Sequence, residues 1–176
     1  MQFTVVDLPA SPELLVEARS LPFAQEGQFH PAVYRPEESE APLLYALLGS
    51  ISILQIPQAE PGQRKSTLRH VQMNRFKPGD RNPWHHDGDD PALTGLVMLY
   101  LTDELWSEAD GGYLELGMRS GSNIQTLQRI CPAHGRAVII HEPRDRNLVH
   151  RVEELRVPKT RISVVAFYGT AALTSA

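Results

Sequence analysis

The rhythm of hydrophobic and polar positions changes near residue 66. Before it, apolar residues recur three or four apart. After it, they alternate or come in short dense runs, so an α-rich leader over about 1–66 precedes a β core over about 67–170. Within the leader, Phe3 to Val6 reads as a short strand closed by Pro9. Ser11-Pro12-Glu13 is a helix start: a capping serine, proline at the first helical position and a carboxylate for the dipole. Leu14, Leu15 and Ala18 carry that helix on. Pro22, Gly27 and Pro31 then break periodicity. A second helix is expected from Pro36-Glu37-Glu38 through Leu43, Leu44, Ala46, Leu47 and Leu48, before Pro57 and a polar stretch end the leader.

The second part reads as strands. His70 to Phe76 alternates and turns at Lys77-Pro78-Gly79-Asp80. Leu93 to Leu101 is an unbroken apolar run, as in a strand covered on both faces. Tyr113–Leu116, Ile124–Ile130, Arg136–His141, Leu148–Leu155 and Thr160–Tyr168 complete the set. Short strands separated by turn signals predict a mainly β sandwich or jelly roll with the N-terminal helices packed against it, and not a βαβ fold.

Composition narrows the class. A chain of 176 residues, 41% hydrophobic and 22% charged, suits one globular domain over 1–176. A net charge of −4 without a basic block argues against nucleic acid as the partner. The single cysteine, Cys131, leaves no intrachain disulfide and no thiolate-rich metal site. No stretch has the length of a membrane span, and no charged leader precedes an apolar run, so a cytoplasmic location is the expectation.

The candidate chemistry lies in Asp80 to Asp90, which holds His85, His86, Asp80, Asp87, Asp89 and Asp90. Residues two apart in an extended chain share a face, so His85 and Asp87 point together and His86 points away. An imidazole beside a carboxylate is two-thirds of a two-His-one-carboxylate metal triad, and also what a polar loop after a strand contains. His150, in Asn147–Val152, offers the third ligand. Arg161 opens the last strand, where it is either a surface residue or a forked donor for a buried carboxylate.

In these segments the chain resembles the iron(II)- and 2-oxoglutarate-dependent dioxygenases, in the branch of the prolyl 4-hydroxylases. Four stretches carry the resemblance, over about 68–169: His85-His86-Asp87; Leu99-Tyr100-Leu101-Thr102 followed by Gly111-Gly112-Tyr113-Leu114; Pro132 to His141; and His150 through Arg161 to Phe167. The resemblance implies a double-stranded β-helix. It implies His85, Asp87 and His150 as iron ligands and Arg161 as partner of the distal 2-oxoglutarate carboxylate. Tyr100 matches a position that hydrogen-bonds the same carboxylate, or is a core aromatic. Fe(II), 2-oxoglutarate and O2 are the implied cofactor and co-substrates, with ascorbate as reductant. The implied reaction couples oxidative decarboxylation, which gives succinate and CO2, to hydroxylation of an unactivated C–H bond. The carboxylate at 87, where halogenating relatives have a small residue, favours that outcome.

Arg75 and Asn74, near the place where relatives often have a tyrosine facing the co-substrate, are candidates for contact with substrate or keto acid, and Asp89 is a candidate for substrate contact. His86 is read as loop packing and His141 as a core or rim histidine. The substrate is expected to be an amino acid, an amino-acid-derived metabolite or a peptidyl residue. Desaturation, epimerisation or demethylation on the same scaffold, and a non-catalytic cupin-like metal-binding protein, are the alternatives. Monomer and homodimer both stay open.

Overall fold

Strand parity decides the architecture. The computed structural model describes residues 2–25, 27–54, 66–103 and 105–170, so Pro57 and the polar stretch after it lie outside the described residues. Eight strands are shared between two sheets, the chain crossing from one to the other at every connection except the β7–β8 hairpin: β4 (Thr67–Phe76), β5 (Asn82–His85), β6 (Leu93–Leu101), β7 (Leu114–Ser120), β8 (Asn123–Ile130), β9 (Arg136–Ile140), β10 (Leu148–Val152) and β11 (Arg161–Gly169). The minor sheet runs β5-β10-β7-β8, and β9-β6-β11-β4 is the centre of the major one. Every pairing is antiparallel. This is the expected jelly roll.

Odd and even residues of the central strands serve different layers. Val97, Leu99 and Leu101 of β6, with Ile162, Val164, Ala166 and Tyr168 of β11, pack against the helices. Leu96, Met98, Tyr100 and Val165 face the minor sheet. Covering both faces explains the unbroken apolar runs. Each Val, Leu, Ile or Met among them contributes roughly 1.5–3 kcal/mol on burial.

The leader is less purely helical than its sequence suggests. Strand β1 (Phe3–Asp7) extends the major sheet beyond β9, and the short strands β2 (Ala24–Gln25) and β3 (Ala32–Tyr34) extend it beyond β4. Among the described residues of the leader, α1 (Pro12–Ser20) and α2 (Pro42–Leu54) are the helices. Helix α2 therefore starts six residues later than the expected Pro36. The cause is tertiary: Glu17 of α1 accepts hydrogen bonds from the Leu43 and Leu44 backbone N–H groups, both at 3.0 Å. Its carboxylate caps a helix start that has no capping side chain of its own. Glu17→Ala is expected to cost about 1–2 kcal/mol, seen as a fall of roughly 2–8 °C in the thermal midpoint by circular dichroism, with Glu17→Gln losing less. No helix among the described residues is long and apolar enough to cross a membrane.

Candidate active site

Two opposed walls supply the site. From the minor sheet, β5 and β10 pair with His85 directly opposite His150. The next pair joins Asn82 to Val152, three residues against two, which is a β-bulge. A regular strand would turn Asn82 and His85 to opposite faces. The bulge shifts the parity between them, and both line one cavity of about 90 Å³. Trp84, between them, packs on Gly117 and under the Arg151 guanidinium instead, so it is not at the cavity rim.

His85, Asp87 and His150 converge there, with one donor atom from each lying within 4.8 Å of the others. Asp87 Oδ1 is 3.7 Å from His85 Nε2, and Asp87 Oδ2 is 3.5 Å from His150 Nε2. The loop after β5 is held against the loop before β10: a Cβ on Gly88 would sit 1.7 Å from the Pro143 carbonyl oxygen. His85 Nδ1 lies 2.7 Å from the Pro83 carbonyl, an acceptor, so this nitrogen carries the proton and Nε2 keeps its lone pair for the centre. Burial, and then the neighbouring His150, hold the His85 imidazole below its ordinary pKa, in the neutral form that a metal needs. Burial acts to raise Asp87, but the close approach of His150, then His85, outweighs it and the carboxyl titrates below its usual range. Two imidazoles and a carboxylate are the donor set of an open Fe(II) site.

The facing wall belongs to the major sheet. Arg161 and Ser163 of β11, Tyr100 and Met98 of β6, and Gln72, Asn74 and Phe76 of β4 line the same cavity. Arg161 is 1% exposed and stands 4.6 Å from the Phe76 ring centre and 4.9 Å from that of Tyr100. Its Nη1 donates to Ser163 Oγ at 3.5 Å, but its Nε has no partner, and no carboxylate pairs with it among the described residues. The buried Tyr100 hydroxyl is likewise unpartnered. Burial pushes its phenol up to about 12. A buried cation without a counter-anion and a buried O–H donor without an acceptor are unfavourable unless a ligand supplies both. One carboxylate of 2-oxoglutarate has the charge and the acceptors required, so the residues fit both iron and keto acid.

The other candidates divide. Asn74 lines the cavity. Arg75 does not: it shares strand parity with Val71 and Met73, faces away, and lies 4.7 Å over the Phe23 ring. Asp89 is exposed and pairs with Arg146 at 3.3 Å, outside the cavity lining. His86 accepts a hydrogen bond from Gly88 N–H at 3.3 Å, and His141 Nε2 meets Thr4 Oγ1 at 2.8 Å; neither lines the cavity. Gln72 and Asn82 do, although neither stood out in the sequence. Alternation from Asn74 would have indicated Gln72. Asn82 needed the bulge.

Comparison with known proteins agrees with this geometry. No curated protein sequence matches the chain. Among solved structures, a prolyl hydroxylase of Trichoplax adhaerens, in complex with a hypoxia inducible factor oxygen degradation domain peptide fragment, superposes with a TM-score of 0.68 at 14% identity, over 96% of this chain and 84% of that one. The viral collagen prolyl hydroxylase of Paramecium bursaria Chlorella virus-1, as its 2OG complex, gives 0.65 at 18% identity, over 98% and 97%. HygX of Streptomyces hygroscopicus, with nickel and 2-oxoglutarate bound, gives 0.67 at 14% identity, over 97% and 83%. At these identities the likeness is one of fold. The sequence model of the 2OG-Fe(II) oxygenase superfamily, however, matches residues 71–169, more than half of the chain and all of the site-bearing strands from β5 to β11. The chain belongs to the 2OG-Fe(II) oxygenase superfamily and is an oxidoreductase that depends on Fe(II) and 2-oxoglutarate.

Proposed function

We propose that this oxygenase hydroxylates an unactivated C–H bond of an amino acid, an amino-acid-derived metabolite or a peptidyl residue. His85, Asp87 and His150 hold the iron, and Arg161 with Tyr100 holds the distal carboxylate of 2-oxoglutarate. The observation that carries this reading is the pair of orphaned buried donors, Arg161 Nε and Tyr100 O–H, in the cavity that the triad closes from the opposite wall. A cupin-like metal protein without a keto acid has no use for a carboxylate clamp there.

Iron held by His85, Asp87 and His150 would activate O2, the oxidant both for decarboxylation of the keto acid and for C–H hydroxylation. The protein's own groups do the rest. With only three protein donors, the triad would let the metal take the keto acid and O2 as further ligands. Arg161 and Tyr100 fix the keto acid at its far end, and orientation of this kind lowers the entropic part of the barrier. Phe76, Met98, Leu114, Val152, Val165 and Phe167 exclude water around these polar groups. A second, more open cavity of about 360 Å³ is lined by His30, Pro31 and Val33 of the β2–β3 hairpin and shares Gln72, Asn74 and Asn82 with the inner one. It is the route by which substrate would arrive, and among the described residues its lining carries no Asp, Glu, Lys or Arg.

The test is aerobic incubation with Fe(II), 2-oxoglutarate and ascorbate against pools of free amino acids, their derivatives and short peptides. Succinate release with one oxygen atom added to a pool member supports hydroxylation. A product two hydrogens lighter identifies desaturation, and an absence of succinate with every pool overturns the enzyme reading. Gly88→Ala tests the loop contact: the added Cβ must displace the Pro143 backbone, at roughly 1–3 kcal/mol, and metal affinity should fall about tenfold with all three ligands intact. Equilibrium dialysis against Mn(II) reads this directly.

Tyr100 yields a pH expectation. Its folded pKa is raised, so the neutral O–H is present below about 12 and lost only above it. The unfolded chain ionises near 10, so the fold loses stability as pH rises from about 10 towards 12. A spectrophotometric titration of wild type minus Tyr100→Phe should show no phenolate step near pH 10. A full step there would mean that Tyr100 is solvated.

A further inference from the structure

Two hydrogen bonds running inward from the surface impose a direction on one amide in the cavity. Arg35 Nη2 donates to Gln72 Oε1 at 2.9 Å, and Gln72 Nε2 donates to Asn74 Oδ1 at 3.1 Å. A guanidinium has donors and no acceptor, so only the oxygen of Gln72 can face Arg35. Its NH2 group must then face Asn74, and Asn74 must answer with its carbonyl. What remains on Asn74 is the NH2 group. That side chain is 5% exposed, lines the cavity, and its Nδ2 meets no acceptor among the described residues.

Register places this donor beside the keto-acid clamp. Ser163 of β11 pairs with Asn74 on one side and with Tyr100 on the other. Arg161 lies two residues along the same inward face, about 7 Å away along the strand. A row of Asn74, Ser163 and Tyr100 therefore crosses the sheet next to the Arg161–Phe76 row. A five-carbon dicarboxylate leaving Arg161 for the triad on the opposite wall passes this row.

We propose that Asn74 Nδ2 is a third donor to bound 2-oxoglutarate, and that Arg35 and Gln72 are positioning residues which keep its amide from turning over. The inference rests on the assignment of this cavity to the keto acid. Without the relay, Asn74 would present either its NH2 or its carbonyl to the ligand, and the carbonyl would oppose an oxygen with an oxygen. Arg35 is exposed and absent from the cavity lining, so it acts on the keto acid only through the two amides.

The test is the affinity of Zn(II)-loaded protein for 2-oxoglutarate, by calorimetry without turnover. Gln72→Glu keeps the shape and can strengthen the pair with Arg35, but a carboxylate only accepts. Asn74 must then turn its NH2 towards residue 72 and its carbonyl towards the ligand. The dissociation constant is expected to rise about tenfold, with zinc affinity and thermal midpoint unchanged. Gln72→Met and Arg35→Met, which unlock the amide without reversing it, should give smaller losses of about two- to fivefold.

Repulsion by the new carboxylate is separated by a double-mutant cycle. In an Asn74→Ala background Gln72→Glu should have no further effect, and an equal effect there would overturn the proposal. So would unchanged affinity in Gln72→Glu alone. If that variant binds normally while Arg161→Met does not, the relay falls and the clamp stands. If wild-type protein fails to bind 2-oxoglutarate, both fall.

Discussion

Arg161→Met is expected to remove 2-oxoglutarate binding, to leave metal affinity within about threefold, and to keep or raise the thermal midpoint of the ligand-free protein. Three observations lead to this. The guanidinium is 1% exposed, it has no carboxylate partner among the described residues, and burial pulls its pKa below the usual value. The rings of Phe76 and Tyr100 offset part of that cost, but a desolvated cation without an anion remains unfavourable. Methionine fills similar space with nothing to desolvate. The keto acid, in contrast, would bring a carboxylate into a pocket that no longer answers it. Truncating one member of a buried charge pair costs about 3–5 kcal/mol, or roughly 10²- to 10³-fold and more in affinity. Calorimetry with 2-oxoglutarate and with metal, beside a thermal melt, reads all three. Equal loss of metal and keto-acid binding would indicate misfolding, and unchanged keto-acid affinity would remove Arg161 from the site.

His150→Ala should abolish keto-acid turnover and weaken metal binding by more than the roughly 10- to 100-fold that follows loss of an outer hydrogen-bond partner. His150 is 5% exposed and stands opposite His85 in the sheet, with its Nε2 3.5 Å from Asp87. Removing it leaves an imidazole and a carboxylate, which hold a divalent ion far more weakly than three donors. His86→Ala is the matched control. It removes an imidazole next in sequence to His85 but outside the cavity, and metal affinity should stay within about twofold. If the two variants lose metal equally, the centre lies elsewhere in the loop.

Strand positions were readable where parity alone mattered. Arg161, Ser163 and Val165 alternate with Ile162, Val164 and Ala166, so one face of β11 had to be apolar and the other had to carry the guanidinium. The same rule, applied to His85 and Asp87, put them on one side and His86 on the other. It would also have kept Arg75 out of the site, since Arg75 alternates with the cavity-facing Asn74 and shares the face of Met73. Nearness in sequence, and not strand face, had singled it out. Asp89 has no parity to read, because it lies in a loop, and it turns to Arg146 outside the cavity lining.

What the chain alone determined is the set of periodicities and the order of the chemical groups: a leader, then a strand-rich part that carries in turn an imidazole, a carboxylate, a second imidazole and a guanidinium, at 85, 87, 150 and 161. The periodicities and the faces they imply are local properties, fixed by the 2.0- and 3.6-residue repeats of the backbone. The folded protein alone decided the bulge that brings Asn82 and His85 to one cavity, the Glu17 carboxylate that begins α2, and the Arg35–Gln72–Asn74 direction. Each depends on a partner far away in the chain, and a hydrogen bond between distant residues leaves no pattern in either segment read separately.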